Sequence, residues 1–166
     1  GMTQIGGDEK AGPMHSMTEA GWDYGIDINL KTAFLVTRAV LPGMMDRDYG
    51  RIVQMSSVTG PVVGISGSSV YAAAKAGMLG MTRALAIEAG PFGVTVNCIG
   101  PGWIKTGSSS SAEITAGIHT PAGRPGTPDE IGHVAVFLAS AEASYVNGQM
   151  IVVDGGNTVQ EYKVAL

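Results

Sequence analysis

The sequence predicts an α/β fold, a parallel sheet with helices on both faces. Two observations carry this. Three short runs with β-branched character, "RIVQM" (51–55), "VTVNCI" (94–99) and "QMIVV" (149–153), are separated by stretches of helical periodicity. The order helix–strand, repeated three times, is the order that right-handed parallel crossovers satisfy.

Taken along the chain, residues 1–15 are glycine-rich and aperiodic and read as a loop. Ser16-Met-Thr-Glu19 fits a capping box, the serine hydroxyl serving the Glu19 N–H and the glutamate serving the serine N–H, so a helix is expected to follow. Leu30, Phe34, Thr37 and Leu41 hold one face of it, and Pro42 should bend or weaken its last turns. Residues 46–50 turn into the first strand, 51–55, and residues 56–67 form a long Gly/Ser/Val connection. A second helix spans 70–89, with Ala72, Ala76 and Gly80 in one stripe and Ala73 and Gly77 in another, small enough for a neighbouring helix to come close. The strand 94–99 is stopped by Gly100-Pro-Gly102. Residues 107–126 are Ser/Gly/Pro-rich and read as a loop, long for a compact domain and therefore a functional candidate. Thr127-Pro-Asp-Glu130 starts a third helix, with a cap, a proline in the first turn and two acids at the positive dipole end. It runs to about Ser140, and the last strand is closed by Gly155-Gly156. Residues 1–166 are read as one domain, without internal repeats.

Composition narrows the function classes. Charged residues make up only 14% of the chain against 45% hydrophobic, which points to buried strands, a subunit interface, or both. A net charge of −4 without a basic stripe argues against nucleic acid as a partner. No apolar run reaches a membrane span, the N-terminus has no apolar signal region, and the single Cys98 fits a reducing compartment, so a cytoplasmic location is expected.

Tyr71 and Lys75 are one helical turn apart on one face. An ammonium beside a phenol favours phenolate and is expected to lower a pKa that otherwise lies near 10. A tyrosine so tuned gives or takes a proton at a substrate oxygen. The bland alternative is a helix face carrying both residues by chance. Ser57 stands at the end of a strand, where catalytic groups of a parallel sheet gather, or is simply a turn serine. Asn29 lies inside a helix that its propensity disfavours, either serving a site or marking a kink. Gly60-x-x-x-Gly64-x-x-Gly67 sits between a strand and a helix, as a phosphate loop does, but its final spacing is one residue too long. His15, His119 and His133 lack metal-ligand spacing, so no metal is predicted, and Cys98 reads as a core residue.

The segments "INLKTAFLVTRAVLPGM", "GRIVQMSSVTG", "YAAAKAGMLGMTRALAIE", "GVTVNCIGPGWIKT" and "GRPGTPDEIGHVAVFLASAEASYVNGQMIVVDGG" resemble, in this order, the short-chain dehydrogenase/reductase family, over about residues 16–157. The resemblance implies a Rossmann-like domain and a catalytic tetrad of Asn29, Ser57, Tyr71 and Lys75. In the family the tyrosine is the acid/base, the serine orients the substrate oxygen, the lysine tunes the tyrosine and holds the nicotinamide ribose, and the asparagine carries a relay water. Cofactor contacts are implied for Tyr71, Lys75, Pro101, Gly102, the Ile104 backbone and Thr106. The implied reaction is hydride transfer between NAD or NADP and a small alcohol or carbonyl compound. The resemblance also implies truncation on the N-terminal side. The family's glycine-rich GxxxGxG turn is not in this sequence, and Gly1 matches the last glycine of the NNAG motif closing the family's fourth strand. Dinucleotide binding by this chain is therefore expected to be weak. The uncovered strand edge and the two long helices, which pair between subunits in the family, imply a homo-oligomer. A non-catalytic, self-associating or partner-binding remnant is the rival reading, and a hydrolase using Ser57 with Tyr71 and Lys75 a weaker one.

Overall fold

The computed structural model describes residues 12–161; the readings made on Gly1 and on the first part of the N-terminal loop lie outside them. A short 3-10 turn, Met14–Ser16, leads into α1 (Glu19–Ile26), a π-helical turn (Asp27–Lys31) and α2 (Thr32–Asp46). There follow β1 (Gly50–Met55), α3 (Ser69–Ala89), β2 (Val94–Pro101), α4 (Ser111–Ile118), α5 (Pro128–Ala139) and β3 (Met150–Val153).

The three strands form one parallel sheet in the order β1-β2-β3, with Ile52 opposite Val96 and Cys98 opposite Met150. β2 lies in the middle and is buried from Val94 to Gly100, its polar Thr95 and Asn97 included. Helices cover both faces. Ile52, Val94 and Val96 pack with Ala86 and Ala89 of α3 and with Leu41 and Met45 of α2. On the other face Ile99 packs with Ile131 and Leu138 of α5, joined by Val53 and Ile151.

Four expectations are corrected. The first capping residue is Thr18, whose hydroxyl accepts from the Gly21 N–H at 3.0 Å. The Ser16 hydroxyl instead donates to the Pro13 carbonyl within the preceding 3-10 turn, so the helix starts two residues later than a Ser16 cap requires. Pro42 leaves α2 uninterrupted to Asp46. β2 continues through Gly100 and Pro101, which pair with Val152 and Val153, rather than stopping before them. The segment 107–126 is not all loop: it contains α4, opened by a complete capping box between Ser110 and Glu113.

The small-residue stripe of α3 finds a partner within the chain. A methyl group on Gly25 of α1 would lie 2.6 Å from Val70, and one on Gly77 would lie 3.0 Å from Leu30, so bare backbone sets how closely α1 and α3 approach. Nothing stands within 4 Å of Gly80 on the outer side.

Candidate active site

The end of β1 is fastened to two neighbours. The Ser56 N–H donates to Ile99 O at 2.9 Å and the Val58 N–H to Pro101 O at 3.1 Å, extending the β1–β2 pairing past the strand. The Ser56 hydroxyl donates to the Lys75 carbonyl of α3 at 2.9 Å. Ser57, between these anchors, turns its hydroxyl inward, where it accepts the Thr59 N–H at 3.1 Å and lines the same cleft as Tyr71. Gly60 explains the shape of the connection. Its φ is +105°, and a Cβ there would meet the Ala72 carbonyl at 2.3 Å. The glycine-rich stretch 60–67 therefore lies against α3 and owes its first glycine to that contact.

α3 presents Tyr71 and Lys75 from successive turns. The Lys75 ammonium is 5.5 Å from the Tyr71 ring centroid, within cation–π range. Its one hydrogen bond goes to the Met55 carbonyl at 2.8 Å. Here the expected tuning is corrected. Burial pushes the Tyr71 phenol above its ordinary value; the Ser57 hydrogen bond partly opposes this, and the charge of Glu113 adds to it. Burial also lowers the Lys75 pKa. The i,i+4 spacing brings the two groups together, but the ammonium bonds the strand carbonyl and not the phenol oxygen.

Asn29 is the middle residue of the π turn and only 6% exposed. Its amide donates to the Gly25 carbonyl at 3.0 Å, within the widened turn. The helix irregularity expected at this asparagine is thus a π turn.

Asn29, Ser57, Tyr71 and Lys75 line one cleft of about 720 Å³, together with Pro101, Gly102, Ile104 and Thr106. Gly102 packs on the turn after β3, where a Cβ would stand 2.6 Å from that of Asp154. Asp154 holds this turn by accepting from the Gly156 and Thr158 N–H groups at 2.9 and 2.7 Å. Ile104 bridges to Gly126, and the Thr106 hydroxyl lies 3.1 and 3.2 Å from those of Ser108 and Ser109. The sequence reading missed Glu113 and Trp103, which also line the cleft. For Glu113 the signal was present, since Ser110-Ser-Ala-Glu113 has the pattern recognised at Thr127.

Among the described residues no group of three or more His, Cys, Asp or Glu could hold a metal, and no helix is long and apolar enough to cross a membrane.

Comparison with known proteins agrees with this architecture. The family model described as enoyl-(acyl carrier protein) reductase matches residues 2–158. Oxidoreductase UcpA of Salmonella typhimurium is 41% identical over 92% of this chain and 62% of its own length. The 3-oxoacyl-[acyl-carrier-protein] reductase FabG of Thermotoga maritima is 44% identical over 84% of this chain and 58% of its own. Among solved structures, a 3-oxoacyl-[acyl-carrier protein] reductase with bound NAD from Brucella melitensis superposes with a TM-score of 0.81 at 37% identity, over 91% of this chain and 57% of that one. The chain thus spans about 62% of the length of the first curated relatives that it matches. With its parallel sheet and two helical layers of Rossmann type, the chain belongs to the short-chain dehydrogenase/reductase family of oxidoreductases.

Proposed function

We propose that these residues are the catalytic part of an NAD(P)-dependent oxidoreductase acting on a small alcohol or carbonyl compound. The observation that carries the reading is the convergence of Ser57, Tyr71, Lys75 and Asn29 on one cleft. Tyr71 stays protonated at neutral pH and donates to the oxygen of a bound carbonyl, or recovers that proton in the reverse direction. Ser57, in the same cleft as Tyr71, holds the same oxygen in register. Asn29 closes the back of the cleft from the π turn.

The residues present fit the nicotinamide end of a dinucleotide. An ammonium has three donors, and Lys75 spends one on Met55, leaving two for ribose hydroxyls beside Tyr71. Pro101, Gly102, Ile104 and Thr106 would hold the nicotinamide side of the cleft. The bound dinucleotide would supply or accept the hydride. Apart from 60–67, whose glycine spacing departs from that of a phosphate loop, no glycine-rich turn leads from a strand into a helix among the described residues, so these residues alone are expected to bind a dinucleotide weakly. A cytoplasmic location and self-association belong to the same reading. Phe34, Leu35, Val36 and Val40 leave much of the outer circumference of α2 apolar and exposed, as surface available for a helix–helix contact between copies.

The test uses the full product of the reading frame that contains these residues, assayed for NADH- and NADPH-dependent reduction of short 3-oxo esters. Tyr71→Phe is expected to lower kcat by about 10² or more, the usual contribution of a positioned proton donor. Turnover that survives Tyr71→Phe overturns the reading. Absence of turnover in the unaltered protein favours the self-associating remnant, and a monomer in sedimentation at micromolar concentration removes that as well.

A further inference from the structure

We propose that Glu113 is a specificity-determining residue, which makes the cleft select uncharged carbonyl substrates over anionic ones. The inference rests on the reading of the cleft given above and adds a substrate class to it. Of the residues lining the cleft, Glu113 and Lys75 carry full formal charges and His119 is titratable; the Lys75 ammonium is held at the Met55 carbonyl, on the β1 side, with its two remaining donors taken by the cofactor ribose in the reading above. Glu113 stands in the first turn of α4, opposite. Its position is fixed: Oε2 accepts the Ser110 N–H at 2.7 Å and the Ser110 hydroxyl at 3.0 Å. Both contacts fall on the same oxygen, so Oε1 is not committed to the cap.

The same cap keeps the carboxyl below the usual carboxylate range, mainly through the Ser110 backbone N–H, so the group is ionised at neutral pH. Its charge is felt at the Tyr71 phenol, where the substrate oxygen must sit. No arginine lines the cleft to offset it, and Arg124, the nearest in sequence, is bound two-fold to Glu130 outside the lining. A carboxylate or phosphate brought to Tyr71 therefore meets a fixed like charge, and a neutral ketone, aldehyde, ester or thioester does not.

The experiment compares ethyl acetoacetate with acetoacetate, which share the reacting ketone and differ in charge, in the unaltered protein and in Glu113→Gln. Glutamine still serves a capping box, so the fold is retained. In the unaltered protein the ester is favoured. In Glu113→Gln that preference falls by about tenfold, the effect of one unit charge across a few ångströms of half-solvated cleft, through a lower KM for acetoacetate with kcat little changed. An unchanged preference in Glu113→Gln overturns the proposal. Binding of the same pair, read by ligand-observed NMR in Tyr71→Phe, separates the two readings. A charge preference that persists there and relaxes in the Tyr71→Phe/Glu113→Gln double variant supports the role of Glu113 even if turnover is never found. Equal binding of ester and anion in Tyr71→Phe overturns it.

Discussion

Helices α4 and α5 begin with the same device, a hydroxyl cap and a glutamate three residues on that reaches back to the cap. What the two glutamates have left over differs. Glu130 gives Oε1 to Arg124 at 2.7 Å and Oε2 to Arg124 and the Thr127 N–H at 3.0 and 2.8 Å, so both oxygens are spent on structure. Glu113 spends one oxygen and stands beside the cleft. The contrast extends beyond the caps. In the seam between β2 and residues 140–149, Asn97 accepts from the Gln149 N–H at 3.0 Å and donates to Val146 O at 2.7 Å. Asn147 likewise accepts from the Val96 N–H at 2.8 Å and donates to Ala86 O at 3.0 Å. Asn97 and Asn147 each turn their amide to backbone groups of the seam, while Glu113 keeps one oxygen uncommitted beside the cleft. The same local motif therefore serves structure at α5 and faces the cleft at α4. Unspent capacity alone is not the mark of the site, since Ser69 and Thr95 bury unbonded hydroxyls away from the cleft.

That contrast can be broken most sharply at Asn97, which is fully buried. Asn97→Ala strands two backbone groups and is expected to cost about 3 kcal/mol in urea unfolding, the sum of two desolvated partners. Ser57→Ala, in the cleft, should cost less than about 1 kcal/mol, since it removes a hydroxyl that accepts one N–H. Equal losses at the two positions would erase the distinction. Next in size are the caps. Ser110→Ala and Thr127→Ala should each lower stability by about 1 kcal/mol. Only Ser110→Ala should also alter the discrimination between neutral and anionic substrates, because it removes one of the two contacts that fix the Glu113 carboxylate.

A smaller effect lies in acid. Hydrogen bonds from Arg124 hold the Glu130 carboxyl down to about 2, from an ordinary value of 4.5. A folded-state pKa below the unfolded one gives stability that is present above the unfolded value and is lost as pH falls through the folded one. The loss should therefore fall between about pH 4.5 and 2, be modest because the pair is exposed, and disappear in Glu130→Gln. Acid titration followed by circular dichroism checks this. The smallest signal is spectroscopic. By ultraviolet difference titration, Tyr71 should ionise above an ordinary tyrosine, shift down in Glu113→Gln and shift further up in Ser57→Ala. Movement in the opposite sense for Glu113→Gln would separate that carboxylate from the reacting centre.

Much of this was legible because it is local. The three β-branched runs became the three strands, and the Thr127 cap with Pro128 opened α5 as read. The eight residues singled out for the site share one cleft because each lies at a strand end or on a helix facing it. α4 was hidden by its Ser/Gly surroundings, although Ser110 and Glu113 spelled its start. The first helix start was read at Ser16, but a 3-10 turn ends at that residue and Thr18 takes the cap. The direction of the Tyr71 shift was out of reach for a different reason. Spacing along a helix gives proximity, but burial and the competing Met55 carbonyl come from elements far away in sequence.

The π turn at Asn29 also acts as a phase adjuster. Holding one residue more than an α turn, it sets everything after it back by about 100° around the axis relative to an unbroken α-helix of the same sequence. α1 can therefore offer Gly25 to α3, while α2, on the same rod, offers Thr37 to Gln54 and Leu41 to the β1 side of the core. Deleting a single codon within 27–31 would let the rod close into regular α-helix with the Thr37 row still on the sheet. A change that regularised the turn without removing a residue would swing that row off, so that the most ideal helix of this length would be the one that no longer fits.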